Sequence, residues 1–339
     1  MQSIQQQFRT PEIYSDFWFN SEGVLLSALR GQVILIHFWD YTSQACLNTL
    51  PYIKEWHKRY ADKNLVVVGV HTPEFPFSGD PFEVRKAVEK FRIKYPVVLD
   101  KGSKIWSSFH SRMWPTCFLI DKFGFVKYVQ EGVGGYKDLE KAIQALITES
   151  GYRAELPEIM EPLRDVDRHG AVAFRPTPEI LSGFQYRTLG NVEGFVAQCT
   201  TYFEDPRMYL EGRLYLHGNW FADREFLKVD DIENAGGSVT VLYRAKEVNA
   251  VMKPEGEKYF QVFIQQDEQF LNANNKGIDV RLDEEGRSFL LVTEARSYNL
   301  VKNENFGEHT LKLSSRSNGF ALYSVSFESS VVPELISRN

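Results

Sequence analysis

Residues 38–51, FWDYTSQACLNTLP, decide the fold of the first half of this chain. They follow a continuous apolar run at residues 33–38, which is typical of a strand buried on both faces. Apolar residues then recur at spacings of three and four through residues 43–61, which predicts a helix kinked at Pro51. Cys46 falls in the first turn of that helix, where free N–H groups and the helix dipole favour a thiolate. The sequence therefore predicts a thiol at a strand-to-helix junction.

Strands and helices alternate on either side of this junction. We expect strands at residues 65–71 and 96–99, helices at 81–91, 104–110 and 136–148, and a hairpin formed by 116–121 and 125–130. Such alternation is typical of a mainly parallel sheet covered by helices, and the hairpin adds an antiparallel edge.

The pattern changes after residue 152. Four prolines among charged residues at 153–178 indicate a linker or an extended wrap. Short strands without helical periodicity follow at 213–217, 238–252, 259–265, 289–293, 309–313 and 320–327. They predict a β-sandwich of the jelly-roll type. We therefore expect an α/β domain at 1–152, the linker at 153–178 and an all-β domain at 179–339.

Composition excludes several function classes. The 339 residues are 43% hydrophobic and 25% charged, as in folded globular proteins, and the net charge is −6 without any basic block, which argues against a nucleic-acid partner. Three widely spaced cysteines, Cys46, Cys117 and Cys199, form neither a disulfide framework nor a zinc motif. We expect no metal and no cofactor. No signal core or membrane span is visible, so the chain is expected to be soluble: cytoplasmic as written, extracytoplasmic if a leader or anchor was trimmed.

Several motifs together resemble the thioredoxin superfamily in its TlpA/ResA branch. They are FW…SQAC…LP after VILIH, the tripeptide Trp114-Pro115-Thr116, and EGVGGY at 131–136. Residues 54–75 are more narrowly similar to the soluble region of DipZ-type proteins. The resemblance covers residues 12–150 and implies a thioredoxin-like fold and thiol–disulfide exchange with protein substrates. It also implies that Pro115 is a cis-proline whose loop faces the cysteine positions and pairs with the substrate chain.

The chain departs from that family at the chemical positions. The family's attacking cysteine falls on Ser43 and its resolving cysteine on Cys46, so a disulfide cannot form within this S-x-x-C motif. Ser43 is either a natural replacement or an engineered Cys-to-Ser change, or in its plainest interpretation a helix cap. His37 occupies the position of the family's buried acid, where it could relay a proton or be a neutral core group. Thr49 occupies the position of the glutamate that is typical of the TlpA/ResA branch. We predict that Ser43, Cys46 and Pro115 mark a catalytic site that is inactive in dithiol–disulfide cycling.

The predicted substrate-binding positions surround this site. They are Trp39, Tyr41 and Trp114 as an apolar rim, Thr116 in the proline loop, and His71 and Glu74 at the carboxyl edge of a strand. Core packing is the alternative for Trp39, and a loop-shaping role is the alternative for His71 and Glu74. Core packing is also favoured for Cys117, and shielding of Cys46 is favoured over reactivity.

The second half resembles the DipZ-type C-terminal region, a β-sandwich compared with carbohydrate-binding modules. The matching residues lie at 218–220, 243–252 and 292–300. The resemblance implies a glycan as a possible ligand, with Trp220, Tyr243 and Tyr298 as stacking rings, although aromatic residues of β-sandwiches more often fill the core. Two functions are therefore carried forward. One is a protein-disulfide oxidoreductase impaired by Ser43, and the other is a non-enzymatic client- or glycan-binding protein.

Overall fold

The computed structural model describes residues 8–231 and 235–332. The chain divides into two compact units, one ending at Gly170 and the other beginning at Ala171. The domain boundaries placed at residues 152 and 178 from the sequence stay predictions. Among the described residues, no helix combines the length and the apolar character needed to cross a bilayer.

The described part of the first unit is a six-stranded sheet with four α-helices, which confirms the predicted α/β class. The strands are β1 Trp18–Phe19, β2 Val33–Trp39, β3 Leu65–His71, β4 Val97–Leu99, β5 Thr116–Ile120 and β6 Val126–Glu131. The helices are α1 Gln44–Tyr60, α2 Pro81–Lys90, α3 Lys104–Ser108 and α4 Tyr136–Glu149. The sheet order is β1-β4-β3-β2-β5-β6, and of these pairs β2–β3 and β3–β4 are parallel. The sheet is thus parallel at its centre rather than mainly parallel, because β5 returns antiparallel to β2.

Strand β2 positions the site at the centre of the sheet. All seven of its residues are buried, and successive side chains enter opposite cores: Leu35 and Trp39 on one face, Ile36 and Phe38 on the other. This is the arrangement expected of a strand covered by helices on both sides. The end of β2 therefore emerges between two packed layers, directly before α1.

Helix α1 buries the stripe that its sequence predicts. Leu50, Ile53, Trp56 and Tyr60 are all buried in the core that α1 shares with one face of the sheet. Their spacing of three and four residues places them on one side of the helix. This packing fixes the axis of α1 and, with it, the position of its first turn.

Residues 153–170, the last segment of the first unit, pack against α1 and α4. The amide of Met160 donates to the buried carboxylate of Glu140 at 2.9 Å, and the amide of Leu163 donates to the hydroxyl of Tyr52 at 2.8 Å. Leu156 and Met160 also contact the core. This part of the predicted linker thus follows the surface of the first unit as a wrap.

The second unit contains strands but no α-helix within its described residues, which confirms the predicted all-β class. One buried cluster collects side chains from nearly all of the longer strands, so the sheet closes around a single core. The strands are β7 Ile180–Leu181, β8 Thr200–Phe203, β9 Tyr215–Ala222, β10 Leu227–Val229, β11 Gly237–Pro254, β12 Phe260–Gln266, β13 Gln269–Phe270, β14 Arg281–Leu282, β15 Ser288–Val292, β16 Arg296–Ser315 and β17 Phe320–Glu328.

One of these strands is much longer than the sequence pattern predicts. β16 has 20 residues, and it pairs over most of its length with β11, whose 18 residues include the predicted strand at 238–252. The sequence predicted only residues 309–313 of β16, because the preceding residues are largely polar. Ladder hydrogen bonds are made by the backbone, so pairing continues through a polar stretch that lacks the alternating pattern. The pairing shifts register between Ala245 and Glu247 and again between Val248 and Asn249.

Candidate active site

Ser43 is the N-cap residue of α1, and Cys46 lies one turn inside the helix. The backbone of Ser43 is extended, and its carbonyl accepts the first helical hydrogen bond from Leu47 at 3.0 Å. The Ser43 side chain makes no capping bond to the backbone; its hydroxyl hydrogen-bonds the thiol of Cys46 instead. The two positions of the S-x-x-C motif are therefore in direct contact, as the helical spacing predicts.

Cys46 is completely buried. Burial raises the pKa of its thiol far above the ordinary range, and the nearby carboxylates of Asp40 and Glu74 act in the same direction. The hydrogen bonds from the backbone N–H of Asp40 and from Ser43 oppose this rise without cancelling it. The thiol is thus protonated at neutral pH and shielded from solvent, which agrees with the expected shielding.

Asp40 organises the loop between β2 and α1, and sequence reasoning missed it. One carboxylate oxygen accepts from the backbone N–H and the hydroxyl of Thr42, both at 2.6 Å. The other accepts from the backbone N–H of Glu74 at 2.8 Å and from the hydroxyl of Ser78 at 2.6 Å. A buried carboxylate with four donors is well satisfied, so it ties residues 40–43 firmly to the loop after β3. The available signal was an acid directly after a buried strand.

His71 lies under the same loop. Its Nε2 accepts from the backbone N–H of Tyr41 at 3.3 Å and is 4.0 Å from the Asp40 carboxylate. Burial lowers the pKa of His71, and the Asp40 charge offsets only part of that effect. The imidazole is therefore neutral, and it holds the loop by accepting the hydrogen bond from Tyr41. This supports the loop-shaping alternative considered for His71.

The loop before β5 contains a cis peptide bond between Trp114 and Pro115, as the resemblance implies. The indole N–H of Trp114 donates to the carbonyl of Thr72 at 3.0 Å, and the buried hydroxyl of Thr116 donates to the carbonyl of Met113 at 2.7 Å. Thr116 pairs with Phe38 in the β2–β5 ladder. Pro115 therefore lies beside the end of β2, next to the loop that leads to Ser43.

His37 is buried in the layer beneath α1. Within residues 8–231 and 235–332, neither of its ring nitrogens has a hydrogen-bond partner. Burial lowers the pKa of His37 to about 3, so the ring is neutral at physiological pH. Its neighbours in the ladder are Cys117 of β5 and Gly69 of β3. A role in proton relay stays a prediction.

The predicted apolar rim needs a correction. Trp39 and Tyr41 are buried, because Trp39 enters the core under α1 and Tyr41 stacks on His71 at 5.4 Å between ring centroids. Only Trp114 is half-exposed, and it stacks on Trp106. The exposed apolar side chains near the proline loop are instead Met113, 45% exposed, and Val133, 49% exposed. A Cβ added at Gly132, the residue before Val133, would lie 3.6 Å from the sulfur of Met113, and the amide of Gly132 donates to the carbonyl of Pro115 at 2.8 Å.

Three further positions from the sequence analysis have clear structural roles. Thr49 replaces the branch's glutamate, and its buried hydroxyl lies 2.8 Å from the hydroxyl of Tyr136 on α4. Glu74 is half-buried, and its amide binds Asp40. Cys117 is buried on β5, in agreement with the predicted core packing. Across the described part of the chain, no group of three or more His, Cys, Asp or Glu side chains is arranged to hold a metal ion.

The predicted ligand rings of the second unit also need a correction. Trp220, Tyr243 and Tyr298 are all buried in its core. Their polar atoms are used internally: the Trp220 indole donates to the carbonyl of His217, and the Tyr243 hydroxyl donates to Gln266. None of the three rings offers a face to a sugar, so the assignment of a stacking role to them is wrong.

Comparison with known proteins agrees with this architecture. Residues 15–129 match the AhpC/TSA family, and residues 177–327 match the family described as the thioredoxin-like C-terminal domain. Protein DipZ of Mycobacterium bovis is 30% identical over 70% of this chain and 34% of its own length. The thiol-disulfide oxidoreductase YkuV of Bacillus subtilis is 28% identical over 39% of this chain and 89% of its own length.

A third relative is the thiol-disulfide oxidoreductase ResA of Geobacillus kaustophilus, 28% identical over 36% of this chain and 67% of its own length. The chain spans about a third of the DipZ proteins and a smaller share of several other relatives. The first unit therefore contains a thioredoxin-like region that matches the AhpC/TSA family and is similar to thiol–disulfide oxidoreductases, and the second unit contains a region that matches the thioredoxin-like C-terminal domain.

Proposed function

We propose that the first unit is a protein thiol–disulfide oxidoreductase domain that engages protein thiols or disulfides but does not cycle between dithiol and disulfide. The observation that carries this proposal is the contact between Ser43 and Cys46 in the first turn of α1. The geometry is that of a two-cysteine site, and one of the two sulfurs is missing.

The missing sulfur decides the chemistry. Exchange requires a thiolate that attacks a disulfide, forms a mixed disulfide and releases one thiolate; a second thiolate then resolves the intermediate. Ser43 cannot form the mixed disulfide, and Cys46 is buried and protonated, so it does not replace the nucleophile. A natural replacement and an engineered Cys-to-Ser change both produce this site, and codon 43 of the encoding gene distinguishes them.

The proline loop supplies the surface that a client would contact. Met113 and Val133 are exposed apolar side chains beside Pro115. Exposed apolar groups around a rigid loop favour contact with an extended peptide. We therefore place client binding at Met113, Trp114 and Val133 and not at Trp39 or Tyr41.

The test restores the missing sulfur. Ser43→Cys is compared with the parent chain in the reduction of insulin by dithiothreitol. Ser103→Cys is the matched control, because Ser103 is also a helix N-cap but belongs to α3. We expect catalysis from Ser43→Cys alone. Equal rates for Ser43→Cys and Ser103→Cys would contradict the proposal.

A double variant tests the client surface separately. Ser43→Cys/Cys46→Ala retains the attacking thiol and lacks the resolving one, so a mixed disulfide with a client should accumulate. Adding Met113→Asp should lower the yield of that adduct, whereas Phe123→Asp, at another exposed apolar position of the same unit, should not. An unchanged yield with Met113→Asp would remove Met113 from the proposed surface.

A second candidate function is glycan binding by the second unit, and a specific cleft favours it. This cleft has a volume of about 990 Å³ and lies along one face of the sheet. Its lining combines two aromatic rings, Tyr202 and Phe263, with the side chains of His217, Asn219 and Gln261. Amides, an imidazole and aromatic faces are the groups that bind sugar hydroxyls and ring faces.

Matched tyrosine variants test this candidate on a glycan array. Tyr202 in the cleft is 58% exposed, and Tyr259 outside it is 60% exposed. We expect Tyr202→Ala to abolish binding to any glycan that the parent chain retains, and Tyr259→Ala to leave it unchanged. If the parent chain binds nothing on the array, or if both variants bind equally well, this candidate is rejected.

A further inference from the structure

A second cavity lies in the first unit, beside α1. Its volume is about 630 Å³, within the range typical of small-molecule sites. It is bounded by α1, by the turn between α2 and β4, and by the wrap at residues 153–170.

The rim of this cavity is strongly cationic. It carries Lys54, Lys58, Arg92 and Lys94 against one carboxylate, Glu55. Glu55 is paired with Lys58 at 3.3 Å, and Lys54 donates to the backbone carbonyl of Phe91. Arg92 and Lys94 have no ion pair with any residue that the structure describes. This concentration of positive charge occurs in a chain whose net charge is −6.

Arg92 occupies a backbone position that usually favours glycine. Its φ is +53°, in the left-handed region, directly after the end of α2. The amide of Ile93 donates to the carbonyl of Val88 across this turn at 3.0 Å, as in a glycine-terminated helix. A side chain with a Cβ is unfavourable in this conformation. The side chain at this unfavourable position belongs to the cationic rim.

The interior of the cavity is largely apolar. Pro51, Met160 and Leu163 contribute aliphatic surface, and the ring of Tyr95 forms the base. Two buried polar atoms, the Tyr95 hydroxyl and Nδ1 of His57, have no hydrogen-bond partner among the described residues. The His57 and Tyr95 rings meet edge to face at 5.6 Å between centroids. An apolar pocket with a cationic rim complements a molecule with one charged and one apolar end.

We propose that this cavity binds a small amphipathic anion, with its acidic group at Arg92 and Lys94 and its apolar body against Met160 and Leu163. The site is independent of the Ser43–Cys46 pair, so its test does not depend on the proposed exchange chemistry. Because the attraction is partly electrostatic, affinity falls as ionic strength rises.

The test is a fluorescence titration of the full chain with 1-anilinonaphthalene-8-sulfonate, followed by competition with decanoate, with inorganic phosphate and with an acidic peptide. We expect saturable binding at one site and displacement by decanoate but not by phosphate at equal concentration. Arg92→Gln/Lys94→Gln should weaken binding at least about tenfold, which corresponds to about 1.4 kcal/mol. Leu163→Glu should abolish it.

Lys137→Gln/Lys141→Gln is the matched control, since both lysines are exposed on α4 and neither lines the cavity. It should bind like the parent chain. Three results would overturn the proposal: an unchanged affinity of Arg92→Gln/Lys94→Gln, the absence of saturable binding, or displacement by an acidic peptide but not by decanoate. The last would indicate a protein partner instead.

Discussion

The backbone N–H of Asp40 is directed at the sulfur of Cys46, with 3.5 Å between nitrogen and sulfur. The thiol thus lies beneath the loop that leads into α1. The carboxylate of Asp40 fixes that loop through its hydrogen bonds. Because Asp40 is buried and contacts both Cys46 and the loop after β3, it links the thiol to the stability of the surrounding fold.

Alkylation should distinguish the three cysteines. Cys46 and Cys117 are buried, and burial raises both thiol pKa values, whereas Cys199 is exposed. We expect iodoacetamide at about pH 8 to modify Cys199 alone in the native chain and all three residues after denaturation. Mass spectrometry of the digested protein measures this. Rapid modification of native Cys46 would show that the loop opens readily, contrary to the packing described.

Asp40→Asn should destabilise the first unit by about 2–4 kcal/mol. The amide NH₂ of asparagine must face one pair of the donors that the carboxylate now accepts, so two buried hydrogen bonds are lost. Urea denaturation monitored by tryptophan fluorescence measures the change. Asp62→Asn is the control, because Asp62 is exposed, and it should leave stability nearly unchanged. Similar behaviour of the two variants would contradict the assigned role of Asp40.

His37 should make the first unit less stable as the pH falls. The pKa of His37 is about 3 in the folded chain against an ordinary value of 6.5, so between these values the unfolded state binds the proton. The contribution of the neutral His37 ring to the free energy of unfolding is therefore fully present above about pH 6.5. It decreases by about 3 kcal/mol as the pH falls toward about 4. His71 and His57, whose pKa values are also lowered by burial, contribute in the same direction.

Removing the titrating ring isolates the share that belongs to His37. His37→Leu should reduce the slope of unfolding free energy against pH over that interval, relative to the parent chain. Denaturant titrations at several pH values give the slope. An unaltered slope in His37→Leu would mean that His37 is protonated in the folded state or exchanges with solvent.

Gly69→Ala should cost about 1–3 kcal/mol through overpacking. A Cβ at this position would lie 3.1 Å from the Tyr95 ring and 3.2 Å from the Trp39 indole, in the row of the sheet that contains His37. Gly102→Ala is the control, since its nearest neighbour would be 3.9 Å away. Thermal unfolding compares the two variants. Equal stability of Gly69→Ala and the parent chain would indicate that Tyr95 moves aside easily.

The local elements of the first unit could be predicted because their signals are local. The apolar run of β2 and the stripe of α1 each lie within a few turns of chain, and the proline motif indicated its cis bond. The role of Asp40 could not be predicted, because its partners Glu74 and Ser78 lie 34 and 38 residues away. No periodicity connects such positions.

The predicted positions of several aromatic residues differ from the structure for another reason. Alternation along a strand shows that two faces differ, but it does not show which face a neighbouring layer covers. Trp39 and Trp220 were therefore proposed as surface residues with core packing as the alternative, and both fill cores. Met113 and Val133 were overlooked because short loops carry no alternating pattern at all. The same ambiguity separates buried Tyr243 from exposed Tyr202.

The wrap at residues 153–170 determines where the first unit can be cut. Its amides satisfy the carboxylate of Glu140 and the hydroxyl of Tyr52, and Met160 covers part of the core. A fragment that stops at Tyr152 would leave these groups facing water. It would also lack the wall that Met160 and Leu163 contribute to the 630 Å³ cavity beside α1. A fragment that continues to Gly170 retains both, so the minimal autonomous piece of this chain is longer than a typical thioredoxin-like sequence pattern suggests.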